Sequence, residues 1–252
     1  ISGIVRQFLI VLPDMLLQCN TPMAPLRANP SETAELESQI LYGESATVLE
    51  LGQKDWIRIR NEDDKYDGWT DKKHFVIASE PKSLLFMDLL APVQTSDGLK
   101  YLPFGSKLGN AEKTIIKNQS AERKMYEVSK ILELVSKFEN APYLWGGKTI
   151  LGMDCSGLMQ LIHKPFSIDL PRNASQQEMA GDLITFGSHR AGDVAFFANE
   201  NNKVVHVGIL SSTDSIWHAS GCVRLDGFIL EGILNRDTDL ISHRLYSIRR
   251  FA

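Results

Sequence analysis

The sequence predicts an α+β domain preceded by one or more small all-β barrel modules. Short apolar runs separated by turn residues about every ten positions fill the first third. At Ser120 the apolar spacing changes to three- and four-residue steps, the period of a helix. Two such helices are then followed by a run of strand-like segments, and helices first with strands after them is an α+β order.

Composition narrows the class. The chain has 252 residues, 43% apolar and 23% charged, which excludes a disordered or collagen-like chain. The length exceeds one average domain. A net charge of −4 argues against a nucleic-acid partner. Three cysteines exclude a disulfide-rich scaffold and leave at least one thiol unpaired within the chain.

The first module is expected over residues 1–78, with 15–78 sufficient for a barrel. An apolar run at 8–17 is broken by Pro13 and Asp14, too short for a membrane span of roughly 20 residues. Leu16-Leu17-Gln18-Cys19 faintly resembles a lipoprotein processing site, but Gln18 stands where a small residue belongs, so Cys19 is expected to pack in a strand. No charged leader is visible beyond Arg6. With few cysteines and an acidic charge, the expected location is cytoplasmic; an exported chain whose leader had been removed would read the same. Residues 38–42 and 47–51 read as strands punctuated by Gly43 and Gly52. In the next run Trp56, Arg58 and Arg60 share one face and Ile57 and Ile59 the other. Residues 61–65 form a polar loop, and Gly68-Trp69-Thr70 opens another strand.

Residues 79–118 read as a second, short β segment or a linker. Strands are expected at 84–90, 100–104 and 114–116, broken by Pro81, Pro92 and Pro103. So short a stretch needs its neighbours to complete a core. The third unit spans 119–252. Met125, Val128, Leu132, Val135 and Phe138 mark a helix capped by Ser120 and ended by Asn140 and Pro142. A second helix starts near Cys155, buries Leu158, Leu161 and Ile162, and stops before Pro165. Strands follow at 193–197, 204–210, 215–219 and 244–251.

Cys155 lies where a glycine-rich loop becomes a helix. A helix N-terminus offers unpaired N–H groups and partial positive charge, and both favour the nucleophilic thiolate. Gly146, Gly147 and Gly152 let the backbone approach closely. The bland alternative is a buried, inert cysteine. Two histidines shift that balance. His206 in Val-Val-His-Val-Gly and His218 in Ile-Trp-His-Ala-Ser fall on consecutive strands that would set them side by side. A thiol needs a base, and the base needs a polar group to fix its tautomer; His206 and His218 fit those roles. His74, His163, His189 and His243 have no such setting and read as structural or surface residues. His218 and Cys222, with His206 and Cys155, could supply four zinc ligands. No Cys-x-x-Cys or His-Glu-x-x-His accompanies them, so neither a metal nor another cofactor is expected, and Cys222 reads as a packed or turn residue.

Taken together, Tyr143-Leu-Trp-Gly-Gly, Asp154-Cys-Ser-Gly, His206-Val-Gly and His218-Ala-Ser resemble the NlpC/P60 superfamily of cell-wall cysteine peptidases, over about 140–251. The run Leu-Pro-Arg-Asn-Ala-Ser-Gln-Gln at 170–177 also resembles that family, where Asp is common at the position of Asn173. The first module resembles a bacterial SH3 domain. The whole is similar to γ-D-glutamyl-L-diamino acid endopeptidases, which implies a papain-like catalytic domain.

The resemblance implies roles. Cys155 would be the nucleophile, His206 the base and His218 the third polar residue. Tyr143 and the Cys155 N–H would face the oxyanion, about 3–4 kcal/mol per donor in favourable cases. Asp154 and Ser156, with Glu37 and Tyr66 of the SH3-like module, would close on the free amine of an N-terminal L-Ala. Asn173 cannot supply charge there, and Ser175 either lines the pocket or caps a helix starting at Gln176. The implied activity is hydrolysis of the γ-D-Glu–diamino acid bond, with diaminopimelate or Lys, in murein peptide recycling. The partner is then an L-Ala-γ-D-Glu-diamino acid peptide, with no nucleic acid, no transmembrane segment and a monomeric chain. The alternatives are an amidase or hydrolase of intact peptidoglycan, and a non-catalytic wall-binding protein.

Overall fold

Alternation of apolar and polar side chains dictates the first sheet. In the strand Trp56–Asn61, Ile57 and Ile59 are buried while Arg58 and Arg60 face out, and Arg60 pairs across the sheet with Asp67. In the computed structural model, which describes residues 11–78, 82–109, 112–114, 120–121 and 125–252, seven antiparallel strands form this sheet. Their order is Leu36–Leu41, Met23–Arg27, Asp67–Asp71, Trp56–Asn61, Ser45–Leu51, Leu16–Cys19, Phe75–Ile77. Cys19 packs in the core of this module beside Leu17, Ala24 and Ile40. Burial pushes its thiol up to about 12, which makes it inert. Arg6 and Phe8 lie outside the described residues.

Two three-stranded sheets follow. One joins Gly98–Pro103, Leu90–Thr95 and Lys113–Thr114; the other joins Lys107–Leu108, Leu84–Phe86 and Ser120–Ala121. The run expected as one strand at 84–90 is thus two, and Pro92 and Pro103 lie inside strands. Pro81, Ile115 and Ile116 lie outside the described residues. The small core around Phe86, Val93, Leu102 and Leu108 is completed by Tyr42 of the first module. Gly43 makes that junction possible: its φ is +78°, and a Cβ there would lie 2.0 Å from the Lys107 carbonyl oxygen.

The first expected helix is shorter than its periodicity suggests. It spans Val128–Ser136, burying Ile131, Leu134 and Val135. Ser120 does not cap it but pairs with Phe86 in a strand. Met125 is 91% exposed, so its place in the apolar period is not a packing position. Glu127 stands at the cap, its side chain accepting from Ser129 Oγ and not from a backbone N–H of the helix. The second helix, Cys155–His163, is buried along its whole length and gives way to a 3-10 turn containing Pro165.

The last sheet has seven strands in the order Asp182–Ile184, Ile241–Arg250, Val194–Ala198, Val204–Leu210, Ser215–Ser220, Cys222–Ile229, Gly232–Leu234. A further pairing between Gly232–Leu234 and Ile241–Arg250 closes six of them on themselves. Successive residues of Val194–Ala198 serve two cores. Val194 and Phe196 face the helices, and Ala195 and Phe197 fill the interior of the closed sheet. The helical part of the expected α+β unit thus amounts to Val128–Ser136, Cys155–His163 and the short Ala174–Gln177, against far more sheet.

His163 gives this fold a pH dependence. The ring is fully buried, with Nδ1 2.8 Å from the Met159 carbonyl. Burial pushes its pKa down to about 4. The unfolded chain, at about 6.5, binds the proton more readily, so stability is lost as pH falls from 6.5 toward 4. His163 alone should cost about 2 kcal/mol between pH 7 and pH 5. Urea midpoints at the two pH values will measure the loss, and His163→Phe should remove that share of it.

Candidate active site

The seam between the first module and the helical unit positions the site. Lys148 donates its backbone N–H to Gln39 Oε1 at 2.7 Å, and Gln160 Nε2 donates to Asp64 at 3.0 Å. The buried Lys164 ammonium lies 2.5 Å from Glu44 and 3.1 Å from Asp63. Gly146, with φ +78°, sits so close to the strand Leu36–Leu41 that a Cβ would come within 2.5 Å of the Leu36 carbonyl oxygen. Glu37 and Tyr66 are carried to the seam by that strand and by the turn before Asp67–Asp71.

Asp154 caps the Cys155 helix. Its Oδ1 accepts the Gly157 N–H at 2.7 Å, and its Oδ2 accepts the Gly146 N–H at 2.9 Å. Arg172 grips the same carboxylate with both terminal nitrogens, at 3.0 and 2.5 Å. The Arg172 Nη1 also reaches Ser156 Oγ at 2.8 Å, and its Nε reaches Ser38 Oγ at 3.0 Å. The two residues expected to receive an amine are therefore engaged already. Asp154 accepts from two backbone N–H groups, from Ser156 and from a guanidinium, so its charge is matched inside the protein.

Cys155 is buried, and burial followed by the Asp154 charge pushes its thiol up to about 12, against the backbone N–H groups of Val207 and Ser156. The helix N-terminus alone suggests a thiolate; in the folded chain desolvation and the adjacent carboxylate outweigh it. The resting thiol is neutral and needs a base.

The histidines supply an ordered chain of acceptors. His206 Nε2 lies 2.9 Å from His218 Nδ1, and His218 Nε2 lies 3.0 Å from Asp226 Oδ2. Burial would raise Asp226, but the His218 ring, the Arg236 N–H and the Arg224 guanidinium hold it down to about 2. An ionised Asp226 accepts only, so the His218 proton sits on Nε2. His218 Nδ1 then accepts from His206 Nε2–H, and His206 Nδ1 keeps the free lone pair. Burial, His243 and His218 all hold His206 well below its ordinary value, so it is neutral near pH 7. Val207, the next residue along the strand, donates its N–H toward the Cys155 sulfur. Among the described residues no hydrogen bond joins that sulfur to the His206 ring. Such contacts are often loose before substrate binds.

One cavity is lined by the thiol and a second by the histidines. One, of about 410 Å³, is lined by Cys155, Asp154 and Ser156 on one side and by Glu35, Glu37 and Tyr66 on the other, with Asn173, Ser175, Trp145 and Lys203 at its edges. Burial and the neighbouring Glu35 raise the Glu37 pKa; burial and Glu37 raise Tyr66. The other cavity, of about 240 Å³, is lined by Tyr143, His206, Gly221 and His243. Burial, then Cys155, pushes the Tyr143 hydroxyl up to about 12, so it stays a donor at neutral pH. Ser175 lies inside the helix Ala174–Gln177 rather than capping it; Asn173 holds the cap position, its N–H on Gln176 Oε1 at 3.3 Å.

Sequence reasoning missed three residues. Asp226 faces the same way as His218 from the neighbouring strand, but Cys222–Ile229 was not expected as a strand. Arg172 lies in the same run at 170–177 as Asn173 and Ser175, and nothing in its local pattern marks it as the partner of Asp154. His243, taken for a surface or structural residue, stacks on His206 with ring centroids 3.9 Å apart. Cys222 pairs with Ser220 in the sheet and stands apart from the histidine group.

A cysteine in the first turn of a helix, a histidine relay on a closed sheet and a β module sharing the pocket define a two-module chain with a thiol–imidazole site. Residues 140–239 match the NlpC/P60 family and residues 26–75 the bacterial dipeptidyl-peptidase Sh3 domain, so the chain carries an NlpC/P60 domain behind a bacterial SH3 domain. It is similar to a γ-D-glutamyl-L-lysine dipeptidyl-peptidase of Bacillus subtilis, 26% identical over 73% of this chain and 72% of the relative. A protein of the same name from Bacillus cereus is 25% identical over 73% and 67%. The crystal structure of an NlpC/P60 family protein from Bacillus cereus superposes with a TM-score of 0.81, at 17% identity, over 94% of this chain and 99% of the other.

Proposed function

We propose that the protein is a cysteine peptidase that hydrolyses the γ-D-Glu–diamino acid bond of murein peptides bearing a free N-terminal L-Ala, in cell-wall peptide recycling. The observation that carries this reading is the cavity in which Cys155 shares walls with Glu35, Glu37 and Tyr66 of the SH3 module. Among the described residues Glu35 and Glu37 have no ion-pair partner, and a pocket walled by such carboxylates suits a cationic amine. The names of the Bacillus relatives support the bond specificity.

The chemistry follows from the relay. His206 Nδ1 takes the thiol proton as Cys155 Sγ attacks the γ-carbonyl carbon. Tyr143 and the Cys155 N–H, in the unpaired first turn of its helix, donate to the developing oxyanion. The C–N bond breaks as His206 returns the proton to the leaving amine. Water, deprotonated by the same nitrogen, then releases L-Ala-γ-D-Glu from the thioester.

Mass spectrometry of products from L-Ala-γ-D-Glu-L-Lys and its N-acetylated form will test the reading. The free peptide should be cut between D-Glu and Lys, and acetylation should remove most of the turnover. Glu37→Gln should raise KM for the free peptide about 10- to 100-fold, the worth of one charge-assisted bond. Equal cleavage of both peptides would overturn the closed-pocket assignment and favour intact wall as substrate.

A further inference from the structure

We propose that His206, His218 and His243 form a divalent transition-metal site, suited to Zn²⁺, whose occupancy switches the peptidase off. The ligand nitrogens of the three rings lie within 4.8 Å of one another. His206 Nε2 and His218 Nδ1 are 2.9 Å apart. Two imidazole nitrogens sharing one tetrahedral Zn²⁺ stand about 3.3 Å apart, given a Zn–N bond of about 2.05 Å. A small opening of this hydrogen bond therefore admits the ion in place of its proton.

The surroundings suit an imidazole site. Asp226 holds His218 Nε2 at 3.0 Å, the carboxylate–histidine arrangement that orients metal ligands. His243 Nδ1 lies 2.9 Å from Ser242 Oγ, which leaves Nε2 as its ligand atom. His243 now lies face to face with His206 at an interplanar angle of 20°, so it must turn about its side-chain torsions to aim that nitrogen at the ion. It is half-exposed on the 240 Å³ cavity that it shares with His206, which gives room for the turn, a path for the ion and space for a fourth, solvent ligand.

The inhibition follows from proton position. A metal on His206 Nε2 forces the ring's single proton to Nδ1, the nitrogen that must accept from Cys155. The base is lost without any change in the thiol. This consequence rests on the reading of His206 as base; the binding itself does not.

Two measurements separate these levels. Isothermal titration of Zn²⁺ into Cys155→Ala protein should show one site per chain, weakened at least about tenfold by His243→Ala and by His243→Gln. Co²⁺ bound to the wild-type protein should show visible d–d bands without a sulfur-to-metal charge-transfer band. In the peptide assay, Zn²⁺ should inhibit the wild type and a chelator should restore it. The ratio of rates without and with Zn²⁺ should fall toward one in the His243 variants, whatever their basal rate. No binding to Cys155→Ala protein, a sulfur charge-transfer band, or undiminished binding in folded His243 variants would overturn the site. Binding that behaves as expected, in a chain that cleaves no peptide with or without chelator, would sink the peptidase reading and leave the site standing.

Discussion

Cys155→Ala is expected to lower kcat on L-Ala-γ-D-Glu-diamino acid peptides by about 10⁴-fold or more, because it removes the nucleophile of the proposed covalent intermediate. The same substitution should leave the fold almost untouched. The thiol is neutral at rest, so its removal breaks no ion pair and strands no charge. What is lost is one sulfur atom from the tightly packed core that includes Leu158, Met159 and Trp217, a cost of about 1 kcal/mol. Steady-state turnover and a urea midpoint on the same preparation will check both halves. Turnover near the wild-type rate would remove Cys155 from the mechanism. A large fall in stability would mean that the thiol does more for packing than its position implies.

Several residues of this site are legible in the sequence. Cys155, His206 and His218 lie in short segments whose local pattern determines their placement: a loop-to-helix junction and two adjacent strands that are apolar and buried along almost their whole length. What escaped notice depends on elements of weak local pattern. Cys222–Ile229 interrupts its apolar residues with Arg224, Asp226 and Gly227, so nothing in sequence marked Asp226 as the end of the relay. His243 sits in a long strand with an exposed face, and long-range pairing of that strand with Val194–Ala198, the neighbour of the His206 strand, brings it onto His206. Ser120 failed as a helix cap for a related reason. Its strand with Phe86 is a long-range pairing, which a propensity argument cannot see. Asp154 shows the opposite case: its place beside Cys155 is local, but its carboxylate depends for its cationic partner on Arg172, 18 residues away. That dependence makes Arg172 the residue most worth changing.

Arg172→Met should destabilise the protein by about 3–5 kcal/mol, the usual cost of removing one partner from a buried ion pair. Arg172 is 1% exposed and Asp154 5%, so the abandoned carboxylate has almost no access to water. Two backbone N–H groups and the Ser156 hydroxyl would remain on it, enough to hold its position but not to match its charge. The loss should also reach function, because Arg172 bridges the Asp154 carboxylate beside the nucleophile to Ser38 on the strand that carries Glu37. KM for the free-amine peptide should rise, while the acetylated peptide should change little. The double variant Asp154→Asn, Arg172→Met separates charge from packing. Asn can still accept the Gly157 N–H as a helix cap and leaves no charge behind, so the pair should recover at least about 2 kcal/mol relative to Arg172→Met alone. If the double variant is no more stable than the single, the penalty comes from lost guanidinium packing rather than an unpaired Asp154. The clamp would then be a spacer between the modules and not an electrostatic one.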